Sequence, residues 1–156
     1  MRSGKHFAVF TGGISFGSGI GVVRPVQVRR SDFGEGGLND FSPRMANFWG
    51  YLLRQRTARW TDSNVHCCSL NTIGNSFCFD WASINSKMSI DGFQRNTPTG
   101  LLIDLYEGTL SVYQNRKRLA TLKDGLSGEY CWFAAIRGRT SKIAIKRGLA
   151  PEEQQG

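Results

Sequence analysis

The densest group of reactive side chains is His66-Cys67-Cys68, with Cys78 close behind. On paper, one imidazole and three thiols could ligate a metal ion. The spacing argues otherwise. A vicinal pair plus two singles is not a CxxC…CxxC framework. Consecutive residues of a strand also point to opposite faces, so Cys67 and Cys68 would not converge on one ion. The four cysteines, with Cys131 the last, read as small buried hydrophobes rather than a disulfide network. That usage points to a reducing compartment and to no metal. Gly17-Ser18-Gly19-Ile20-Gly21 is glycine-rich like a phosphate cradle, but it opens no helix and no Lys-Ser/Thr follows it. His6 and His66 are the only histidines, and HExxH does not occur. No two carboxylates stand out as a facing pair for glycoside hydrolysis. Neither catalysis nor a cofactor is expected.

Charge is the stronger signal. Lys and Arg number 20 against 12 Asp and Glu, a formal net charge of +8, and most of the basic residues are Arg. A guanidinium is a planar fork suited to carboxylate and phosphate. The charge is dense from Arg116 to Arg147, where Arg116, Lys117, Arg118, Lys123, Arg137, Arg139, Lys142, Lys146 and Arg147 face only Asp124 and Glu129. Two partner classes follow. One is an acidic protein or peptide. The alternative is nucleic acid, tracked by the stripe Arg116–Arg147. The first is favoured, because no RRM, KH or zinc-finger pattern accompanies the stripe. A glycan-binding role lacks the acidic calcium clusters it would use. No stretch of 18 apolar residues offers a membrane helix. The basic start ahead of Phe7-Ala8-Val9-Phe10 is not a signal peptide, because Thr11-Gly12-Gly13 interrupts the apolar run. No membrane association is expected, and the setting is intracellular.

These residues must be held by short elements. With 156 residues and 19 Gly, a single domain of strands is expected over residues 1–149, with a disordered tail at 150–156. The apolar pattern has period two. It predicts strands at Phe7–Phe10, around Ile20–Val23, and at Phe48–Leu53, Thr57–Trp60, Val65–Leu70 and Phe77–Trp81. A further strand is predicted near Met88–Ile90. The pattern is sharpest in the last third, at Leu101–Leu105, Thr109–Tyr113, Arg118–Leu122, Trp132–Ile136 and Lys142–Lys146. The glycine-rich stretch from Pro25 to Pro43 reads as a long loop. Turn signals recur at a spacing that fits an all-β, antiparallel two-sheet β-sandwich with little or no helix. Asp104 is expected to accept backbone N–H bonds at a turn. Trp49, Trp60, Trp81 and Trp132 are expected to supply core bulk.

The stretch from Gly100 to Asn115 resembles the central motif of SPRY domains: an apolar strand ending in Asp104, a Gly108 turn, the Thr109-Leu110-Ser111-Val112-Tyr113 strand, then an Asn115 turn. Gly4-Lys5-His6-Phe7, Asn47-Phe48-Trp49-Gly50-Tyr51 and Ser127-Gly128-Glu129-Tyr130 resemble flanking features of that family, in order. The resemblance implies a SPRY-like, concanavalin-like jelly-roll sandwich. It also implies a non-catalytic module that binds a peptide or folded protein through loops at one end, often within a larger assembly. Arg116 stands where the family's turn carries Gly, which predicts a longer turn. Cys131 replaces the family's Pro. Arg137-Gly138 stands where members that recognise Asn-rich peptides carry Trp-Gly, which points to an acidic or phosphorylated ligand instead. The expected partner-binding residues are Arg24, Asp32, Arg44, Tyr51, Arg54, Arg137 and Gly138, acting as Arg-to-carboxylate forks and a Tyr contact surface.

Overall fold

A computed structural model describes residues 1–12, 18–27, 46–60, 65–80, 84–136 and 142–151; of 46–49 and 84–86 it describes the backbone alone. Ten strands form two antiparallel sheets. They are β1 (Lys5–Thr11), β2 (Gly19–Val23), β3 (Cys67–Asn71), β4 (Asn75–Phe79), β5 (Ile84–Ser89), β6 (Thr99–Asp104), β7 (Thr109–Gln114), β8 (Lys117–Lys123), β9 (Cys131–Ala135) and β10 (Ala144–Gly148). The first sheet has the order β10-β1-β6-β7-β8 and the second β5-β4-β3-β2-β9. Non-neighbouring strands meet in both sheets, as expected of a sandwich whose strands alternate between layers.

Alternation along each strand builds the core. Ala8 and Phe10 of β1, Leu101 and Ile103 of β6, and Leu110 and Val112 of β7 face Ile20 and Val22 of β2, Cys68 and Leu70 of β3, and Cys78 of β4. The intervening residues face outward. Over the first sheet, Phe7, Leu102 and Tyr113 are buried with Ala150, and the Phe7 ring stands edge-on to Tyr113 at 5.7 Å between centroids. A Cβ at Gly100 would come within 2.5 Å of the Phe7 ring, so only glycine lets the ring lie across the strand there. The packed chain runs on through Ala150 and Pro151, past the expected boundary at 149, and residues 152–156 lie outside the described residues.

Over the second sheet, Val23, Cys67 and Phe79 are covered by Leu52 and Trp60. Those two residues come from a helix, α1 (Ala46–Arg54), and a 3-10 turn (Ala58–Trp60). Both regions read as strands in the sequence. A six-residue apolar run fits either state. Within α1, Leu52 is fully buried and Leu53 is 52% exposed, so the helix turns its Leu52 side to the sheet.

Cys67 and Cys68 point to opposite faces, as their adjacency in a strand requires: Cys67 joins the outer cluster and Cys68 the inner core. Burial pushes both thiols well above their ordinary pKa, the mark of inert packing residues. The Asn115-Arg116 connection stays a tight two-residue turn. Both residues adopt positive φ, at 50° and 64°, so Arg116 takes the conformation expected of glycine. Asp104 accepts the backbone N–H groups of Tyr106 and Glu107 at 3.0 and 3.1 Å. Trp60 is buried in the outer cluster, and Trp132 packs edge-on against Phe10 at 5.9 Å. Trp49 has no described side chain, and Trp81 lies outside the described residues.

Candidate functional site

The pairing registers define the two ends of the sandwich. One end carries Gly19 opposite Asn71 and Ala135, and Thr99 opposite Phe10 and Gln114. It gathers the 72–74 turn, the 90–98 loop, the 115–116 turn and the segment after β9. We call it the loop end. The other carries Val23 opposite Cys67 and Cys131, and Lys5 opposite Asp104. It is sealed by Trp60, Tyr130 and the 124–130 segment, and we call it the closed end.

A shallow cleft, open to solvent and with room for little more than one water molecule, lies at the loop end. Gly19, Leu70 and Asn71 form its floor, and Phe93, Gln94, Asn96 and Thr97 form a wall. Local chemistry fixes both sides. Asn71 Oδ1 accepts the N–H groups of Ile73 and Asn75 at 3.1 and 2.9 Å, which closes the β3–β4 turn. Gly74, at φ 82°, completes that turn and lets Phe93 pack on its α-carbon; a Cβ there would lie 2.7 Å from the Phe93 side chain. Gln114, 3% exposed, then latches the 90–98 loop to the sheet. Its Oε1 accepts the N–H of Gln94 at 2.8 Å, and its Nε2 donates to Gln94 O at 2.9 Å and to Thr99 Oγ1 at 3.0 Å. The side chain thus mimics a strand pair, and these directed bonds add to the apolar packing of Ile90 and Phe93 in holding the loop.

Charge divides between the ends. Among the described residues the loop end bears Arg95, Arg116, Lys117 and Lys142, all exposed, against Asp91. The closed end holds Asp80, Asp104, Glu107, Asp124 and Glu129 beside Arg2, Lys5, Arg24, Arg56, Arg59 and Lys123, so acids and cations nearly balance there. Among the described residues, Lys5 pairs with Asp104 there at 3.6 Å, and Arg2 and Arg59 with Glu129 at 3.4 and 3.9 Å.

The expected site residues do not gather at one end. Arg24 is 0% exposed. Its Nη1 donates to Ser127 O at 2.7 Å and Glu129 O at 3.0 Å, and its guanidinium lies 4.0 Å from the Tyr130 ring centroid and 5.9 Å from that of Trp60. Burial pushes its pKa below the ordinary value, opposed by Tyr130. The expectation that Arg24 offers a fork to a partner therefore fails: its fork is used inside the closed end. Tyr51 and Arg54 sit on α1, far along the sheet from the loop end. The Tyr51 hydroxyl donates to Gln27 O, Gln55 brackets the same residue with bonds of 2.8 and 2.9 Å, and the Arg54 guanidinium lies 5.7 Å from the Tyr51 ring. Arg137 and Gly138 lie outside the described residues, as do Asp32 and Arg44. β9, which leads to Arg137, ends at Ala135 opposite Gly19, at the loop end.

The Arg116–Arg147 stripe is also split. Arg116, Lys117 and Arg118 lie at one edge of the first sheet and Lys146 and Arg147 at the other. Four strand spacings separate them, roughly 19 Å. Between them the outer face is apolar, with Phe7, Leu102 and Tyr113 beneath Ala150.

Sequence reasoning did not single out Gln114 or Gln94, and it weighed His66 only as a metal ligand. His66 is fully buried, with Nε2 2.7 Å from Asp80 O and its ring stacked on Phe79. Burial pushes its pKa down to about 4, partly offset by the Asp80 carbonyl. No helix among the described residues is long and apolar enough to cross a membrane.

The architecture is that of a SPRY-like β-sandwich, and two solved structures share it. The SPRY domain of human HERC1 superposes with a TM-score of 0.53 at 13% identity, over 94% of this chain and 76% of that one. The PSpry domain of TRIM65 superposes with a TM-score of 0.55 at 13% identity, over 94% of this chain and 65% of that one. At that identity the likeness is one of fold. No protein-family model and no curated protein sequence matches the chain.

Proposed function

We propose that this chain is a non-catalytic protein-interaction module whose loop end engages an acidic protein or peptide, as the recognition part of a larger assembly. One observation carries the reading: the excess of exposed cations over acids at the loop end. The loop end holds four exposed cations against one acid, beside a cleft whose walls offer amides and hydroxyls for peptide groups. Arg116 supports it. A long cationic residue occupies a left-handed turn position that glycine would take without strain, a pattern found where a side chain is retained for contact.

The test uses a fluorescently labelled poly-Glu peptide and the intact chain. Anisotropy should report binding that weakens with added salt. The Arg95→Glu, Arg116→Glu double variant should bind about tenfold more weakly. Unchanged binding by that variant would sink the loop-end reading. The nucleic-acid reading is the weaker one, because the split stripe leaves no continuous cationic track on the first sheet. Single-stranded DNA binding as tightly as poly-Glu at matched salt would reverse that ranking.

A further inference from the structure

The sandwich has four edge strands, β8, β10, β5 and β9, and they are not alike. Exposed edges usually carry guards against pairing with other chains. β8 carries Lys117, Arg118 and Lys123, and its pairing with β7 contains two register shifts. The pairing of β5 with β4 is broken by a shift at Cys78/Phe79. β9 is half-buried along its whole length. β10 is charged like β8, with Lys146 and Arg147, but differs in register and exposure. Its five residues pair with β1 in unbroken register from Thr11↔Ala144 to Phe7↔Gly148, and all five are exposed.

The register also shows what β10 presents. Ile145 lies opposite Phe10 and Arg147 opposite Ala8, and both partners face the core. Ile145 is nevertheless 44% exposed. The Phe10–Trp132 contact marks the lateral limit of the core, and β10 extends beyond it. Lys146, opposite Val9, faces the other way. The free edge is therefore an extended strand with one apolar inward residue and two adjacent cations, one on each face.

We propose that the free edge of β10 is a β-addition site that accepts an extended acidic segment of a partner protein as a sixth strand of the first sheet. In antiparallel pairing, two consecutive acidic residues would stand opposite Arg147 and Lys146, with an apolar residue opposite Ile145. Main-chain bonds supply the affinity and the cross-strand charge pairs choose the partner. The same cations disfavour a second copy, because an antiparallel β10 pair centred on Lys146 would set Lys146 against Lys146. This site is separate from the loop end and does not rest on the reading proposed for it.

The probe is a short labelled peptide of alternating Val and Thr with a central Glu-Glu-Ile. Two controls are used, one with Lys-Lys in place of Glu-Glu and one N-methylated along its pairing edge. The acidic peptide should bind and slow amide exchange at residues 144–148, and both controls should bind about tenfold more weakly. The Lys146→Glu, Arg147→Glu double variant should lose the acidic peptide while keeping its melting temperature, because both side chains are exposed. Arg95→Glu should leave this binding intact. Equal binding of the N-methylated peptide would overturn the proposal. So would protection at the 90–98 loop instead of β10, or a dimer of the chain that protects β10 without peptide.

Discussion

At the closed end an arginine lies in a cage; at the loop end arginines stand in water. Arg24 follows β2 into a space bounded by Trp60 and Tyr130, where two backbone carbonyls accept from its fork. Arg95 and Arg116 sit on turns that project past the strands. The residue type is the same in both places, and the backbone decides its use. A guanidinium whose donors are taken by Ser127 O and Glu129 O is a structural staple, whereas one at a turn tip is available to a carboxylate. The amides divide differently. Gln27 is bracketed by Tyr51 and Gln55 near α1, and Gln94 is latched by Gln114 beside the cleft. Loops at both ends are therefore pinned by directed hydrogen bonds, but at the loop end exposed cations outnumber acids four to one.

The largest blow to this contrast comes from Arg24. Arg24→Leu removes a buried guanidinium from two part-buried carbonyls and two aromatic rings and should cost about 3 kcal/mol, read as a lower urea midpoint. Peptide affinity at the loop end, per folded molecule, should not move. Next in size is a pH effect confined to the closed end. Folded His66 titrates near 4 and an unfolded histidine near 6.5, so between those values the unfolded chain binds the extra proton. Stability is full above about pH 6.5 and falls as pH drops towards 4, by at most about 3 kcal/mol. Urea titrations across that range should show the loss, and His66→Gln should flatten it. A smaller effect tests the latch. Gln114→Ala should cost about 1–2 kcal/mol and speed amide exchange across residues 90–98, leaving exchange at Arg24 and Tyr130 unchanged. The smallest is the most discriminating. Arg116→Gly relieves the left-handed turn and should raise stability by about 1 kcal/mol while weakening poly-Glu binding. If stability and affinity rise together, Arg116 is not a contact residue.

The sequence showed some of this contrast and hid the rest. Strands β6 to β8 were legible because period-two alternation and turn residues agree from Leu101 to Leu122. Helix α1 was not, because Phe48–Leu53 is too short and too uniformly apolar to favour one period, and Gly50 weakens a helix there by about 1 kcal/mol. The burial of Arg24 was hidden for another reason. Its partners come from residues 60 and 127–130, and nothing near Arg24 in sequence signals them. The Gln94–Gln114 latch is illegible in the same way: each glutamine alone reads as surface. The tight Asn115-Arg116 turn shows the opposite failure, a local rule against positive φ overridden by the pairing of β7 with β8.

The α-amino group of Met1 donates to Tyr130 O at 2.7 Å, and Tyr130 N donates back to Met1 O at 3.0 Å. Ala150 meanwhile packs on Phe7 and Leu102, on the half of the first sheet nearer the closed end. Residues 1 and 150 are thus both moored away from the cleft. A tether joined at either point would hold the sandwich by its base, with the loop end directed outward like the mouth of a plug. Tags or surface anchors placed there would leave the cationic loops free to meet what they bind.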